Sequence, residues 1–236
     1  MDKRIREAQN KILEAFSEQK SSFALSGGSA LELYYLHHRF SFDLDFFSPA
    51  YNYKEIEELI SIFGSYLKRK IRFEAEFVSS SHARVRFYTM KVPNSARPLK
   101  FDFVEDVIFK SPSIKRFKGV RVYDVENIYF QKICAVTGTD LKEDEIGREI
   151  TRGRNEARDA FDIYMLSKKI RPLHVFLKEV PAQQQRGMIH WYRSFSRQEL
   201  KLSLLELDIY DKNFDSREMI IHLEDEIKKF AKEVME

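Results

Sequence analysis

The stretch "SGGSALELYYLHHRFSFDLDFFS", residues 26–48, decides how this chain is read. Two glycines precede an apolar helical pattern, and two aspartates then enter a phenylalanine-rich strand pattern. In "RFSFDLDFF", Phe40, Phe42, Leu44 and Phe46 alternate with Ser41, Asp43 and Asp45, the two-residue period of a half-buried strand. Asp43 and Asp45 therefore share one face. Both ionise cheaply there only if a cation stands between them. Magnesium suits such a pair, being a hard ion held by one or two carboxylates together with substrate phosphates.

A D-x-D pair alone is a weak signal, and the residues before it strengthen it. Gly27 and Gly28 let backbone N–H groups approach a ligand closely, and Ser29 opens a helix whose N-terminus favours anions. A tight strand–helix turn is the plainer account of the glycines taken alone. In "LKFDFVED" the pattern recurs: Phe101 and Phe103 point to the core and Asp102 away. A neighbouring strand would bring Asp102 beside Asp43 and Asp45. Three carboxylates support two magnesium ions, one activating a hydroxyl and one neutralising a triphosphate. An ordinary exposed strand aspartate is the alternative.

Farther along, Lys132 lies in a mostly apolar helical stretch, "NIYFQKICAV". In "EARDAFDIYML", Arg158, Asp159 and Asp162 share a helix side by three- and four-residue spacing. On the functional reading Asp159 or Asp162 orients Lys132, which holds nucleotide phosphates. The plainer readings are a snorkelling lysine and a surface Arg158–Asp162 ion pair.

The chain's 236 residues, 43% of them hydrophobic and 33% charged, suit a globular protein of one large domain or two lobes. A net charge of +3 does not mark a nucleic-acid binder. One stretch, 110–121, carries Lys110, Lys115, Arg116, Lys118 and Arg121 with no acid; it reads as a phosphate contact or a solvated loop. No helix-turn-helix or zinc pattern appears. The single Cys134 excludes an intramolecular disulfide and suits a reducing, cytoplasmic setting. The first residues form a charged amphipathic helix pattern rather than a signal peptide, and no apolar run is long enough for a membrane span.

Helix and strand patterns interleave to residue 122 and helices follow. The fold class expected is α+β: a mixed-sheet lobe over 1–122, a helical lobe over 123–236, and a cleft between them. Asp124 caps the helix bearing Lys132, and "SALELYYLHH" is a helix on which His37 and His38 are structural. The charged stretch 139–155 reads as a mobile loop. A final helix is capped by Asp215 and Glu218, with Ile220, Leu223, Ile227, Phe230 and Val234 as its apolar stripe; Trp191 belongs to the helical core.

Together, "GGSALELYYLHHRFSFDLDFF", the lysine helix and "ARDAFDIYML" resemble the AbiEii/AbiGii toxin family. Its members are polymerase-beta-type nucleotidyltransferases, the toxins of type IV toxin–antitoxin systems linked to phage defence. The resemblance runs from Phe23 to Leu166. It implies magnesium-dependent transfer of a nucleoside monophosphate from an NTP to a hydroxyl, with the 3′ end of tRNA as acceptor. Gly27, Gly28, Ser29, Lys132 and Arg158 would bind the nucleotide, and Asp43, Asp45 and Asp102 the metals. A winged-helix, AbiEi-type antitoxin is the implied partner. One departure stands out: where the family often has an arginine seven residues after the lysine, this chain has Thr139. Arg148, Arg152 or Arg154 would substitute for it, or the chain is a non-catalytic GTP- or NTP-binding module of the same fold. The basic stretch 110–121 and the paired Arg84 and Arg86 favour RNA over protein as acceptor.

Overall fold

The computed structural model describes residues 2–78, 83–138, 141–143, 149–151 and 153–235. It forms two compact units, Met1–Tyr35 with Ser41–Ile128, and Leu36–Phe40 with Tyr129–Glu236.

The first unit is built on a mixed seven-stranded sheet. Its strands are β1 (Ala24–Ser26), β2 (Asp43–Ser48), β3 (Ile71–Val78), β4 (Arg84–Met90), β5 (Leu99–Glu105), β6 (Ile114–Phe117) and β7 (Val120–Tyr123). Their spatial order is β3-β4-β5-β2-β1-β7-β6. β2 runs parallel to β5 and β1 parallel to β7; the other neighbours are antiparallel. Helices α1 (Lys3–Ser17) and α3 (Tyr53–Leu67) follow from their apolar spacing and from Asp2 and Asn52, which accept the first free backbone N–H groups. The apolar side of the sheet packs on these helices through aromatic rings. Phe46 lies with its ring centroid 4.8 Å from Phe16, 5.8 Å from Phe63 and 5.3 Å from Phe103. The alternation that buries Leu44 and Phe46 turns Asp43 and Asp45 to the other face.

Two stretches fold otherwise than their sequence patterns suggest. "RFSFDLDFF" is not one strand. β2 begins at Asp43, while Arg39 bridges to Ile209 within the second unit and Phe40 is buried there. Alternation reports side-chain polarity, and it cannot show where backbone pairing starts. Likewise "SALELYYLHH" is a short α-helix, α2 (Gly27–Ala30), that widens into a π-helix over Leu31–Leu36. His37, at φ 47°, ends it, so neither histidine lies on a helix.

The basic stretch 110–121 is largely the β6–β7 hairpin, turning at Lys118 and Gly119, rather than a solvated loop. Helix α4 (Val125–Thr137) starts where expected: Asp124 Oδ1 accepts from the Glu126 N–H at 3.0 Å. Part of the charged stretch 139–155 pairs as strands β8 (Leu141–Glu143) and β9 (Glu149–Thr151). A ladder this short needs backbone bonds and no apolar face, so periodicity does not reveal it. Thr139, Arg148 and Arg152 lie outside the described residues.

The second unit also holds α5 (Ala157–Lys169), α6 (Leu173–Leu177), α7 (Ala182–Ser194), α8 (Arg197–Leu204) and α9 (Ser216–Met235). Asp215 accepts from Arg217 N–H at 2.7 Å to cap α9. Ile220, Leu223, Ile227 and Phe230 are buried, but Val234 is 57% exposed, so the stripe ends a turn early. Trp191 is buried and stacks on Phe195.

Phe46→Ala removes the ring on which three others lean. It is expected to cost about 3–5 kcal/mol, read as a lower urea midpoint with unchanged slope. An unchanged midpoint would show that this ring cluster does not carry the sheet.

Candidate active site

In the first unit the site is assembled by strand register. β2 and β5 pair in parallel with Asp45 opposite Asp102 and Asp43 opposite Lys100. Neighbouring strands lie about 4.8 Å apart, so Asp45 and Asp102 leave adjacent strands at paired positions on the face away from the aromatic core. Asp43 is two residues upstream on that face. On the other side of β2, β1 places Ser26 opposite Asp45, and the chain then turns at Gly27. Gly27 has φ +68°, and a Cβ there would stand 2.3 Å from Asp45 Oδ2. Glycine is thus required twice at this position, by backbone conformation and by the carboxylate lying against its Cα.

Ser29 is buried, and its hydroxyl donates to the Asp43 carbonyl, tying α2 to the start of β2. Two buried side chains fix the segment entering β2. Gln9 Nε2 donates to the carbonyls of Ser41 and Phe42 at 2.9 and 3.1 Å. Glu32 accepts from the Ser41 N–H at 2.8 Å and from Arg6. Sequence reasoning missed both. The available signals were a glutamine on the apolar stripe of α1 and a glutamate inside an apolar helix.

Among the described residues, no group of three or more His, Cys, Asp or Glu side chains is arranged to hold a metal ion by itself. The Asp45–Asp102 pair fits the other mode of magnesium binding, in which one or two carboxylates share the ion with substrate phosphates.

The second unit holds a buried ionic network. Asp162 is wholly buried. Arg39 grips it in bidentate fashion, Nε–Oδ1 at 2.7 Å and Nη2–Oδ2 at 2.8 Å. His38 Nε2 lies 2.7 Å from Oδ1, and Lys132 Nζ 2.7 Å from Oδ2. Lys132 also meets Asp159 Oδ1 at 2.6 Å. Arg154 reaches Asp159 Oδ2 at 3.2 Å, with its side chain 57% exposed. Burial alone would raise the Asp162 pKa, but Arg39, Lys132 and the His38 bond outweigh it and hold the carboxyl well below the usual range. Burial lowers His38 against the pull of Asp162, so it is neutral at pH 7 and donates from Nε2. Arg158 sits half-buried in the first turn of α5. No local pattern points to the pairing of His38 and Arg39 with Asp162, because that partner lies 123 residues or more away.

The model of the AbiEii family, described as nucleotidyl transferase AbiEii toxin of type IV toxin–antitoxin systems, matches residues 11–236. The chain belongs to this family. No curated protein sequence matches this AbiEii chain. Among solved structures it resembles JHP933 from Helicobacter pylori, with a TM-score of 0.60 at 17% identity, covering 100% of this chain and 96% of that one. It also resembles a candidate nucleotidyltransferase from H. pylori, with a TM-score of 0.58 at 19% identity, covering 97% and 95%. At these identities the likeness shows the shared α+β fold. Among the described residues, no helix of this AbiEii protein is long and apolar enough to cross a membrane.

Breaking a buried ion pair from one side costs about 3–5 kcal/mol, and Arg39→Ala is expected to lose that much in urea unfolding. Because the folded pKa of Asp162 lies below its unfolded value of about 3.9, its contribution is complete above that pH and is lost as pH falls below it. Asp162→Asn should therefore flatten the acid limb of the stability profile. An Arg39→Ala midpoint equal to wild type would deny the network its structural role.

Proposed function

We propose that this AbiEii protein is a magnesium-dependent nucleotidyltransferase that moves a nucleoside monophosphate from an NTP to a hydroxyl, the 3′ end of tRNA being the favoured acceptor. The observation that supports this most is the Asp45–Asp102 register beneath Gly27. Gly27 leaves room for the Asp45 carboxylate, and the strand register sets Asp102 opposite Asp45.

Asp43, Asp45 and Asp102 would hold the divalent ions, which when bound supply charge neutralisation for the triphosphate. The backbone of Gly27 and Gly28 and the start of α2 would face its phosphates. The acceptor oxygen forms its bond to the α-phosphorus as the bond toward the β-phosphate breaks, and pyrophosphate departs with the electron pair. The hydroxyl proton passes to Asp102. Preorganised charge does most of this work. The network around Lys132, with Asp159 and Asp162 fixing the ammonium, is assigned to the nucleotide phosphates. Arg158 is proposed for the same phosphates, and Arg154 is the network's exposed cation. Arg84 and Arg86 lend no support to an RNA acceptor: Arg84 is matched by Glu105, and Arg86 by Glu57 and Glu76. As a type IV toxin, the chain would pair with an antitoxin, for which a winged-helix AbiEi-type protein is proposed.

The test incubates the protein with each labelled NTP, magnesium and total tRNA. Label should enter tRNA, and Asp45→Asn should cut the rate at least about 100-fold, since a metal's charge stabilisation is worth several kcal/mol. Tight NTP binding with no transfer to RNA or protein would instead establish the non-catalytic module.

A further inference from the structure

A second feature of the same sheet is not used by the carboxylate site. At the end of the sheet where β5 begins, a cavity of about 740 Å³ is lined by Arg69, Lys70, Arg72, Lys91 and Arg97 against the single acid Glu74. Glu74 is already spent: Arg72 grips it at 2.6 and 2.9 Å, and Thr89 donates to it. Among the described residues Arg69, Lys70, Lys91 and Arg97 have no carboxylate partner, and all four are exposed. Elsewhere on β4 the arginines are neutralised pairwise by glutamates. The fold thus matches its cations along the first half of β4 and leaves those around this concavity unmatched. Like charges gathered in a cleft repel unless an anion enters, and they concentrate field into it.

The register connects this cleft to the carboxylates. Asp43 pairs with Lys100, Lys100 with Thr89, and Thr89 with Arg72, one row across β2, β5, β4 and β3. Residues directly opposite one another share a sheet face. One face therefore reads, from edge to site, Arg72, Thr89, Lys100, Asp43. Arg97 reaches the same place by another route, its guanidinium 5.1 Å from the ring of Phe42, the residue before Asp43.

We propose that this basic cleft holds the phosphate backbone of the RNA acceptor and leads its terminal hydroxyl along the Arg72–Lys100 row toward Asp43. The inference deepens the nucleotidyltransferase reading and rests on its RNA acceptor. RNA fits better than a lipid surface because the cations line a concavity and a row, rather than a flat apolar-edged face.

The test measures binding of a fluorescein-labelled single-stranded RNA oligonucleotide by anisotropy across a salt series, using the full chain. Lys70→Ala/Lys91→Ala, both exposed positions, should weaken binding about tenfold and lower the salt slope by about 1.4, at roughly 0.7 per lost single-strand phosphate contact. No RNA binding by wild type would overturn the cleft. So would unchanged binding by the double variant, or loss confined to the hairpin variant Lys115→Ala/Lys118→Ala. In transfer assays the cleft variant should raise KM for RNA and spare kcat. RNA transfer with unchanged KM would refute the cleft and leave the enzyme standing. Cleft-dependent RNA binding with no transfer under any NTP would do the reverse.

Discussion

Ser26 of β1, Asp45 of β2 and Asp102 of β5 stand in one hydrogen-bonded row, and the chain turns at Gly27 directly above the middle residue. The site depends on that row. A slip of one residue between β2 and β5 would send the aspartates into the aromatic core and the phenylalanines to the surface. The packing of Phe46 against Phe16, Phe63 and Phe103 therefore does more than stabilise the unit. It makes every other register costly, and so fixes which carboxylates meet.

The second unit answers a different electrostatic problem. Asp159 and Asp162 are both buried, which is tolerable only because Lys132 and Arg39 are buried with them and Arg154 reaches in from solvent. Burial raises a carboxyl pKa and nearby cations lower it; for Asp162 the cations win. The segment Leu36–Phe40 belongs to this unit although its flanks belong to the other. The bidentate, charge-assisted grip of Arg39 on Asp162 helps to hold it there, with the Phe40 N–H donating to the Asp208 carbonyl at 2.8 Å.

Much of this was legible in the sequence for a physical reason. Two-residue alternation at Leu44–Phe46 and at Phe101–Phe103 marks both the buried face and the aspartates opposite. The spacing of Arg158, Asp159 and Asp162 marks a helix side. What was not legible is long-range or backbone-driven. The pairing of β2 with β5, the junction that assigns Phe40 and Asp43 to different units, the π-helical widening at Leu31–Leu36 and the Arg39–Asp162 pair leave no local pattern. The basic cleft is of this kind too: Arg69, Lys70, Lys91 and Arg97 are scattered in sequence, while the conspicuous run at 110–121 is a hairpin in which Lys115 is paired with Asp124.

The sharing of a divalent ion by Asp45 and Asp102 is tested most directly by binding rather than turnover. Manganese, a spectroscopic stand-in for magnesium, is titrated into the protein with a non-hydrolysable NTP analogue present, and bound ion is counted by electron paramagnetic resonance. Wild type should bind it, and Asp102→Asn should lose more than about tenfold in affinity, at least what disturbing a ligand's own support costs, while its melting temperature holds. Equal manganese affinity in wild type and Asp102→Asn would contradict the account.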